Sequence, residues 1–187
     1  MPVIRALCTE GLQERHIEAI NAKIDFGGIN GSESLSKFLT FLEDDFDRKK
    51  DVLEEIADTA TKEYANEKTL NQMSLDWEPL DFEPSEQKGT YKLGGDCIEL
   101  IQQTLDDHLI KAQTMKGSPY AKFFLDTIIE WEDLLQRTQD NLEMWLKVQA
   151  IWMYLEPVFS SEDIMKQMPL EGNKFREVDK EWRALMK

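Results

Sequence analysis

Apolar positions recur at a helical period along most of the chain. Beyond Leu12, the residues Ile17, Ile20 and Ile24 fall on one side of a helix expected from about Thr9 to Ile24, because a core-facing stripe returns every third or fourth residue. The glycine-bearing stretch "DFGGINGSES" interrupts it and ends in serines suited to helix N-caps. Leu35, Phe38, Leu39, Leu42 and Phe46 mark a second helix. Leu53, Ile56, Ala60 and Tyr64 carry the pattern into a longer one ending near Trp77, with an acidic outer face that includes "EDDFD" and "DVLEE".

The period changes in "LDWEPLDFEPSEQKGTYKL", where two prolines forbid a continuous helix. Trp77, Leu80 and Phe82 before the turn, and Tyr91 and Leu93 after it, predict two short antiparallel strands joined near Gly89. Helix resumes at about Asp96, with Ile98, Ile101, Leu105, Leu109 and Ile110 on one side. In "TMKGSPY", Gly117 suits a helix stop, Ser118 an N-cap and Pro119 the first helical position. From there to Glu156 the pattern permits a helix of roughly 35–38 residues, on the order of 55 Å at 1.5 Å per residue. A kink is allowed near Asp126, and Pro157 ends the helix. "SSEDIMKQMP" restarts helix with Ser160 and Asp163 in capping-box spacing, and Pro169 opens a last segment through Phe175, Val178, Trp182 and Leu185.

These elements give a mostly α fold class, an elongated antiparallel helical bundle with one small β-hairpin insertion. The expected division is residues 1–78 as an N-terminal helical subdomain, 79–95 as the hairpin insertion and 96–187 as a long-helix bundle.

Within the long helix, Trp131, Trp145 and Trp152 return to nearly one face, and Leu134, Leu142, Val148 and Leu155 fill the same stripe. Such rings suit either a ligand box or the seam between packed helices. An aromatic side chain buries about 150–250 Å², so three supply roughly 11–19 kcal/mol at about 25 cal/mol per Å² before costs. That magnitude favours the seam, and the stripe reads as a structural spine.

Charge narrows the function classes. Twenty-two basic against 37 acidic residues leave a net charge of -15, which argues against nucleic acid and anionic membranes as partners. Basic clusters such as Arg48-Lys49-Lys50 are short and lie among acids. No apolar run approaches the roughly 20 residues of a membrane span, and "MPVIRALCTEGLQERH" lacks the apolar core of a signal peptide. Cys8 and Cys97 stand far apart, outside any CxxC or cysteine–histidine cluster, so a reduced intracellular protein without structural zinc is expected.

The sequence holds no GxxxxGK[ST] phosphate loop, GxSxG elbow, HExxH helix or GxGxxG turn. His108 follows Asp106 and Asp107, which raises acid–base chemistry; a histidine in a polar helix turn accounts for it more simply. Glu63 and Glu67 lie four apart, as on a di-iron helix, but no Glu-x-x-His accompanies them and a solvated face is expected. No catalytic, cofactor-binding or metal-ligating constellation emerges, so no enzyme activity is assigned to this chain.

The tail carries a longer pattern. "SPYAKFFLDTIIEWEDLLQRTQDNLEMWLKVQAIWMYLEPVFSSEDIMKQMP" followed by "FREVDKEWRALM" resembles the linker region of dynein heavy chains, above all in Trp131, Trp145-Leu146, Val148-Gln149, Trp152 and Tyr154-Leu155-Glu156 through Phe159. "LDDHLIKAQTMKGSPY" and "GLQERHI" match in order upstream, so the resemblance covers nearly the whole chain. "YLEPVFSSEDIMKQMP" and "QTMKGSPY" look closer to axonemal than to cytoplasmic heavy chains. Ile17 departs from the family, which usually carries tryptophan there; the apolar character is kept.

The resemblance implies the N-terminal part of a force-transmitting lever arm in a motor protein of the axoneme of cilia or flagella. Such an arm couples ATP-driven changes in an AAA+ ring to microtubule-based movement. The implied partners are the AAA+ ring of the same heavy chain and the remaining linker and tail. The ATP sites lie in the ring, so no cofactor is expected in this fragment, and no direct microtubule contact. Trp131, Leu134, Leu142, Trp145, Val148, Trp152 and Leu155 would form the spine, and Gly117, Ser118, Pro119 and Tyr120 a ring-docking or hinge segment; "GGINGS" is a second candidate joint. Acidic clusters such as Asp44-Asp45-Asp47 would dock to basic ring surfaces.

Two other classes make different demands. A non-catalytic helical scaffold or adaptor binding a partner helix requires a contiguous apolar groove with tryptophans open to solvent. An enzyme requires a deep pocket of perturbed carboxylates around His108.

Overall fold

The computed structural model describes residues 2–24, 40, 43 and 45–186. The expected helix over Leu35, Phe38, Leu39 and Leu42, the "GGINGS" joint and Asp44 therefore lie outside the described residues. The described elements are α1 (Pro2–Leu7), α2 (Glu14–Ile24), α3 (Phe46–Trp77), β1 (Ser85–Gln87), β2 (Thr90–Lys92), α4 (Asp96–Lys116), a 3-10 turn (Pro119–Ala121), α5 (Leu125–Phe159), α6 (Glu162–Gln167) and α7 (Pro169–Leu185). The fold is thus mostly helical with one small hairpin, as the hydrophobic pattern predicts. No helix among the described residues is long and apolar enough to cross a membrane.

The chain forms two compact units, Met1–Ser74 with Met115–Asp126, and Leu75–Thr114 with Thr127–Lys187. In the first, Ala6 of α1, Ile20 and Ile24 of α2, and Leu53, Ile56 and Ala57 of α3 form one buried cluster. The helix expected from Thr9 begins instead at Glu14. Gly11 takes a left-handed φ of +88° and lies so close to α3 that a Cβ there would sit 2.3 Å from Tyr64 Cβ. The Gln13 N–H donates to His16 Nδ1 at 3.0 Å, so a histidine closes the N-terminus of α2 where a glutamate usually does.

α3 ends at Trp77, as its apolar spacing indicates. The hairpin that follows is shorter and more polar than expected. Ser85↔Lys92, Glu86↔Tyr91 and Gln87↔Thr90 pair antiparallel, while Trp77 belongs to α3 and Leu80 and Phe82 lie outside both strands. Lys88 and Gly89 both have positive φ, 49° and 72°, the two-residue turn whose twist matches a right-handed ladder.

α4 buries Ile98, Ile101, Leu105, Leu109, Ala112 and Met115, whereas Ile110, expected beside them, is 64% exposed because it falls off that side of the helix. Ser118 does act as an N-cap, its Oγ accepting from the Tyr120 N–H at 3.3 Å. The helix it starts is only the 3-10 turn, and the long helix begins at Leu125. α5 has 35 residues, about 52 Å. Pro157 lies inside its last turn rather than ending it. Ser161, not Ser160, is the N-cap of α6, without a side-chain bond, since the Ser160 hydroxyl donates to Glu156 Oε1 at 3.1 Å. Pro169 opens α7 as expected.

Candidate functional site

The buried positions of α5 are Ile128, Leu135, Leu142, Gln149, Trp152 and Glu156. All but Trp152 fall one heptad apart, the signature of a helix packed along a straight seam. Trp131, Trp145, Trp152 and Phe159 occupy the second position of the same repeat, three residues on from Ile128, Leu142, Gln149 and Glu156.

This seam meets α7. Trp182 is 4% exposed; its ring stacks on Trp152 at 5.4 Å with the planes 20° apart, and lies 5.6 Å from Trp145 at 45°. Phe159 stacks on Phe175 at 5.3 Å and 22°. Partners descend along α7 as positions rise along α5, so the two helices run antiparallel, joined through α6. The Trp152 indole N–H donates to Asp179 Oδ1 at 3.0 Å, and Arg183 Nε holds both oxygens of that carboxylate at 3.0 and 2.9 Å. At the α6 end, a Cβ on Gly172 would lie 2.4 Å from Met165 Sδ, so a larger residue there would have to displace the flexible end of that methionine.

The polar seam positions fasten the hairpin. Gln149 is 7% exposed; its Oε1 accepts from the Leu93 N–H at 2.8 Å, and its Nε2 donates to the Leu93 carbonyl at 2.5 Å. The Glu156 carboxylate accepts from Lys88 Nζ as well as from Ser160. Arg183 Nη1 donates to the Lys88 carbonyl at 3.0 Å. Gln149 and Glu156, the polar residues at this seam, thus both have named partners, whereas the buried N–H groups of Trp145 and Trp182 have none.

The sequence-derived spine residues divide. Leu142 and Trp152 are buried; Trp131, Trp145 and Leu155 are half-buried; Leu134 and Val148 are 50% and 41% exposed and lie off the seam. Trp131 is outside the ring cluster around Trp182. Missed by the sequence reading were Ile128, Leu135, Gln149 and Glu156, which their heptad spacing marks. Trp152 and Trp182 are closed to solvent, at 2% and 4% exposed, unlike the open tryptophans a scaffold groove demands, while Trp145 is half-buried.

Gly117, Ser118, Pro119 and Tyr120 are tied to α3 within the first unit. Lys62 Nζ lies 4.7 Å above the Tyr120 ring and donates to its hydroxyl at 3.2 Å, and Asn66 Nδ2 donates to the Tyr120 carbonyl at 3.2 Å. Hydrogen bonds to Asp58 first, then to Tyr120, raise the Lys62 pKa above the ordinary 10.5.

The two histidines and the paired glutamates have other settings than the sequence suggests. His108 is buried, 1% exposed, rather than in a polar turn. Its Nδ1 accepts from Trp77 Nε1 at 3.0 Å, and since indole only donates, the ring proton is on Nε2, 3.3 Å from Asp76 Oδ2. Both nitrogens are therefore occupied, and general-base chemistry has no free lone pair. Glu63 is buried, not solvated: Arg15 reaches it with Nε at 3.1 Å and Nη2 at 2.5 Å, and His16 Nε2 lies 3.0 Å away. Burial of that carboxylate is offset by its cation. Among the described residues no group of three or more His, Cys, Asp or Glu is placed to hold a metal ion.

The family described as "Dynein heavy chain, N-terminal region 2" matches residues 1–187. The chain belongs to the dynein heavy chain family. The human dynein axonemal heavy chain 3 is 43% identical over 188 residues, covering 100% of this chain and 4% of that protein. The human dynein axonemal heavy chain 12 is 48% identical over 134 residues, 72% of this chain and 4% of the relative. The mouse dynein axonemal heavy chain 1 is 36% identical over 187 residues, again 100% of this chain and 4% of the relative. The axonemal character read from "QTMKGSPY" and "YLEPVFSSEDIMKQMP" agrees with these relatives. This dynein heavy chain segment spans 4% of the length of the curated relatives it matches, and within it α5 and α7 clasp each other through the Trp145, Trp152 and Trp182 rings.

Proposed function

We propose that this segment of a dynein heavy chain is a force-transmitting part of the linker, a lever arm coupling ATP-driven changes in the AAA+ ring to movement along microtubules in the axoneme of a cilium or flagellum. The observation that carries the reading is the ring of Trp182 set between Trp145 and Trp152, which locks α7 to α5. A lever must resist shear between its rods, and interdigitated aromatic rings in a close-packed seam do so because sliding by a fraction of a ring opens voids. The segment itself is non-catalytic and needs no cofactor. Its partners are the ring and the rest of the linker and tail of the same chain; a net charge of -15 disfavours contact with an acidic filament. Gly117, Ser118, Pro119 and Tyr120, where the path between α4 and α5 leaves the helix, are the hinge or ring-docking stretch.

The test is the full heavy chain carrying Trp182→Ala, with ATP turnover and microtubule gliding measured on one preparation. The expected result is retained turnover with gliding slowed several-fold. Unchanged gliding per ATP, with hydrogen exchange showing α7 loosened from α5, would remove the lever reading.

A further inference from the structure

Ser160 lies between α5 and α6 with its side chain exposed, whereas Ser161 beside it is half-buried. The Ser160 hydroxyl donates to Glu156 Oε1 at 3.1 Å, and the other oxygen of that buried carboxylate accepts from Lys88. The stretch that carries Ser160 is loosely held. Pro157 withholds one N–H from the last turn of α5. α6 buries none of its residues, and its N-cap Ser161 makes no side-chain bond. Opening residues 157–167 therefore uncovers no buried side chain of that stretch, so local opening there costs little.

Ser160 also borders a polar cavity of about 480 Å³, whose wall includes Lys166 of α6, Asn173 and Arg176 of α7, and Glu162. Neither cation is strongly committed. Lys166 Nζ stands 3.9 Å from Glu162 with both groups largely in water, an arrangement that holds weakly. Arg176 Nη1 donates to the neutral amide oxygen of Asn173 at 3.4 Å.

We infer that Ser160 is a phosphorylation site for an ATP-dependent protein kinase with a basic peptide groove, and that Lys166 and Arg176 receive the phosphate. The flanking charge selects that class of kinase. Glu162 and Asp163 follow Ser160 closely, and no lysine or arginine lies between Lys147 and Lys166. A kinase that reads basic residues finds none beside Ser160, and one that requires proline next meets Ser161 instead. Exposure selects Ser160 over Ser161. In the transfer, the bond from Ser160 Oγ to the γ-phosphorus of ATP forms as the bond from that phosphorus to the β–γ bridging oxygen breaks. ADP leaves, and the hydroxyl proton passes to the kinase's catalytic aspartate.

The product reverses the local electrostatics. A phosphoserine carries about -1.5 to -2 charges at neutral pH and has lost the proton that Ser160 gives to Glu156. Like charge then stands where a hydrogen bond stood. Turning into the cavity relieves that repulsion and gives the phosphate charge-assisted bonds to Lys166 and Arg176. Since Arg176 belongs to α7, the modification ties the α5–α6 junction to α7.

The test incubates the purified full heavy chain with ATP and casein kinase 2, an acid-directed serine kinase, and maps phosphate by mass spectrometry. The expected product carries phosphate on Ser160, lost in Ser160→Ala and kept in Ser161→Ala. Initial rate should fall at least tenfold in the Glu162→Gln, Asp163→Asn double variant. Hydrogen exchange of the α6 amides should slow at least threefold on phosphorylation, and much less in Arg176→Gln. No phosphate at this junction, phosphate on Ser161 instead, or an undiminished rate in the double variant would overturn the site. Unaltered α6 exchange in the phosphorylated chain would overturn the receiving role of Lys166 and Arg176.

Discussion

Trp152 and Trp182 stack at 5.4 Å, yet only one of the two indoles uses its N–H. Trp152 donates to Asp179, whereas the buried N–H of Trp182, like that of Trp145, has no partner. The pair therefore contributes through ring contact at one residue and through ring contact plus a charge-assisted hydrogen bond at the other. Truncating either ring to alanine should cost about 3–5 kcal/mol, the range for buried tryptophan. Phenylalanine separates the terms. Trp152→Phe should cost about 1 kcal/mol more than Trp182→Phe, because it also removes a satisfied bond to a carboxylate. Urea unfolding of both variants provides the comparison, and equal costs would contradict it.

Leu134 and Leu142 give a second contrast. Leu142 is 5% exposed and Leu134 50%, so Leu142→Ala should cost about 2–5 kcal/mol and Leu134→Ala less than about 1 kcal/mol. Thermal unfolding of the two variants reads this directly.

That same pair explains how far the seam was legible. Leu134 and Leu135 are adjacent and chemically identical, so residue type cannot say which faces inward; the heptad step back from Leu142 selects Leu135. Gln149 and Glu156 continue that step but are polar, and a reading built on apolar residues passes over them. Tertiary partners decide their burial: the Leu93 backbone for Gln149, Lys88 and Ser160 for Glu156. Helix ends were legible where a local rule governs them, as at Pro169 and Ser118. β1 was not, because Ser85-Glu86-Gln87 has no apolar alternation and is placed by its turn at Lys88-Gly89 and its partner strand. His108 and Glu63 escaped because their burial depends on Trp77 and Arg15, neither predictable as a partner from spacing.

Gly11 holds a position that no other residue fits. Its φ is +88°, and a Cβ would stand 2.3 Å from Tyr64 Cβ. Gly11→Ala should destabilise the first unit by more than about 1 kcal/mol, since alanine is strained at positive φ and the contact is with a side-chain root rather than a flexible tip. A lowered melting temperature with unchanged fluorescence of the Trp152–Trp182 cluster is the expected outcome.

Lys62 supplies a pH-dependent tie between α3 and Tyr120. Its pKa is raised above 10.5 by Asp58 and Tyr120, so the folded state holds this proton more tightly than the unfolded one. The resulting stability is fully present below the unfolded value and fades as pH climbs through the folded one. The side chain is solvent-exposed, so the effect is small. Wild-type and Lys62→Gln chains should differ in melting temperature at neutral pH, and the difference should shrink as pH rises beyond 10.5 and through the raised folded value. A difference that does not shrink over that range would mean packing, not charge, holds the Tyr120 loop.

Gln149 is the position where one atom decides whether the hairpin stays fastened. Its amide offers an acceptor to the Leu93 N–H and a donor to the Leu93 carbonyl, and no other side chain of that size has both. Gln149→Ala leaves two backbone groups without these partners and should cost about 1–3 kcal/mol, with faster hydrogen exchange at Leu93. Gln149→Glu keeps the first bond and turns the second into an oxygen facing an oxygen. As a carboxylate it should also detach the carbonyl side; once protonated it regains a donor, so the Glu variant should recover stability as pH falls towards the carboxylic range, while the Ala variant should not. Melting curves at pH 4 and pH 7 read this (about the ordinary glutamate value and well above it). If the two variants respond to pH alike, the hairpin is held by its turn and the Lys88–Glu156 pair rather than by Gln149.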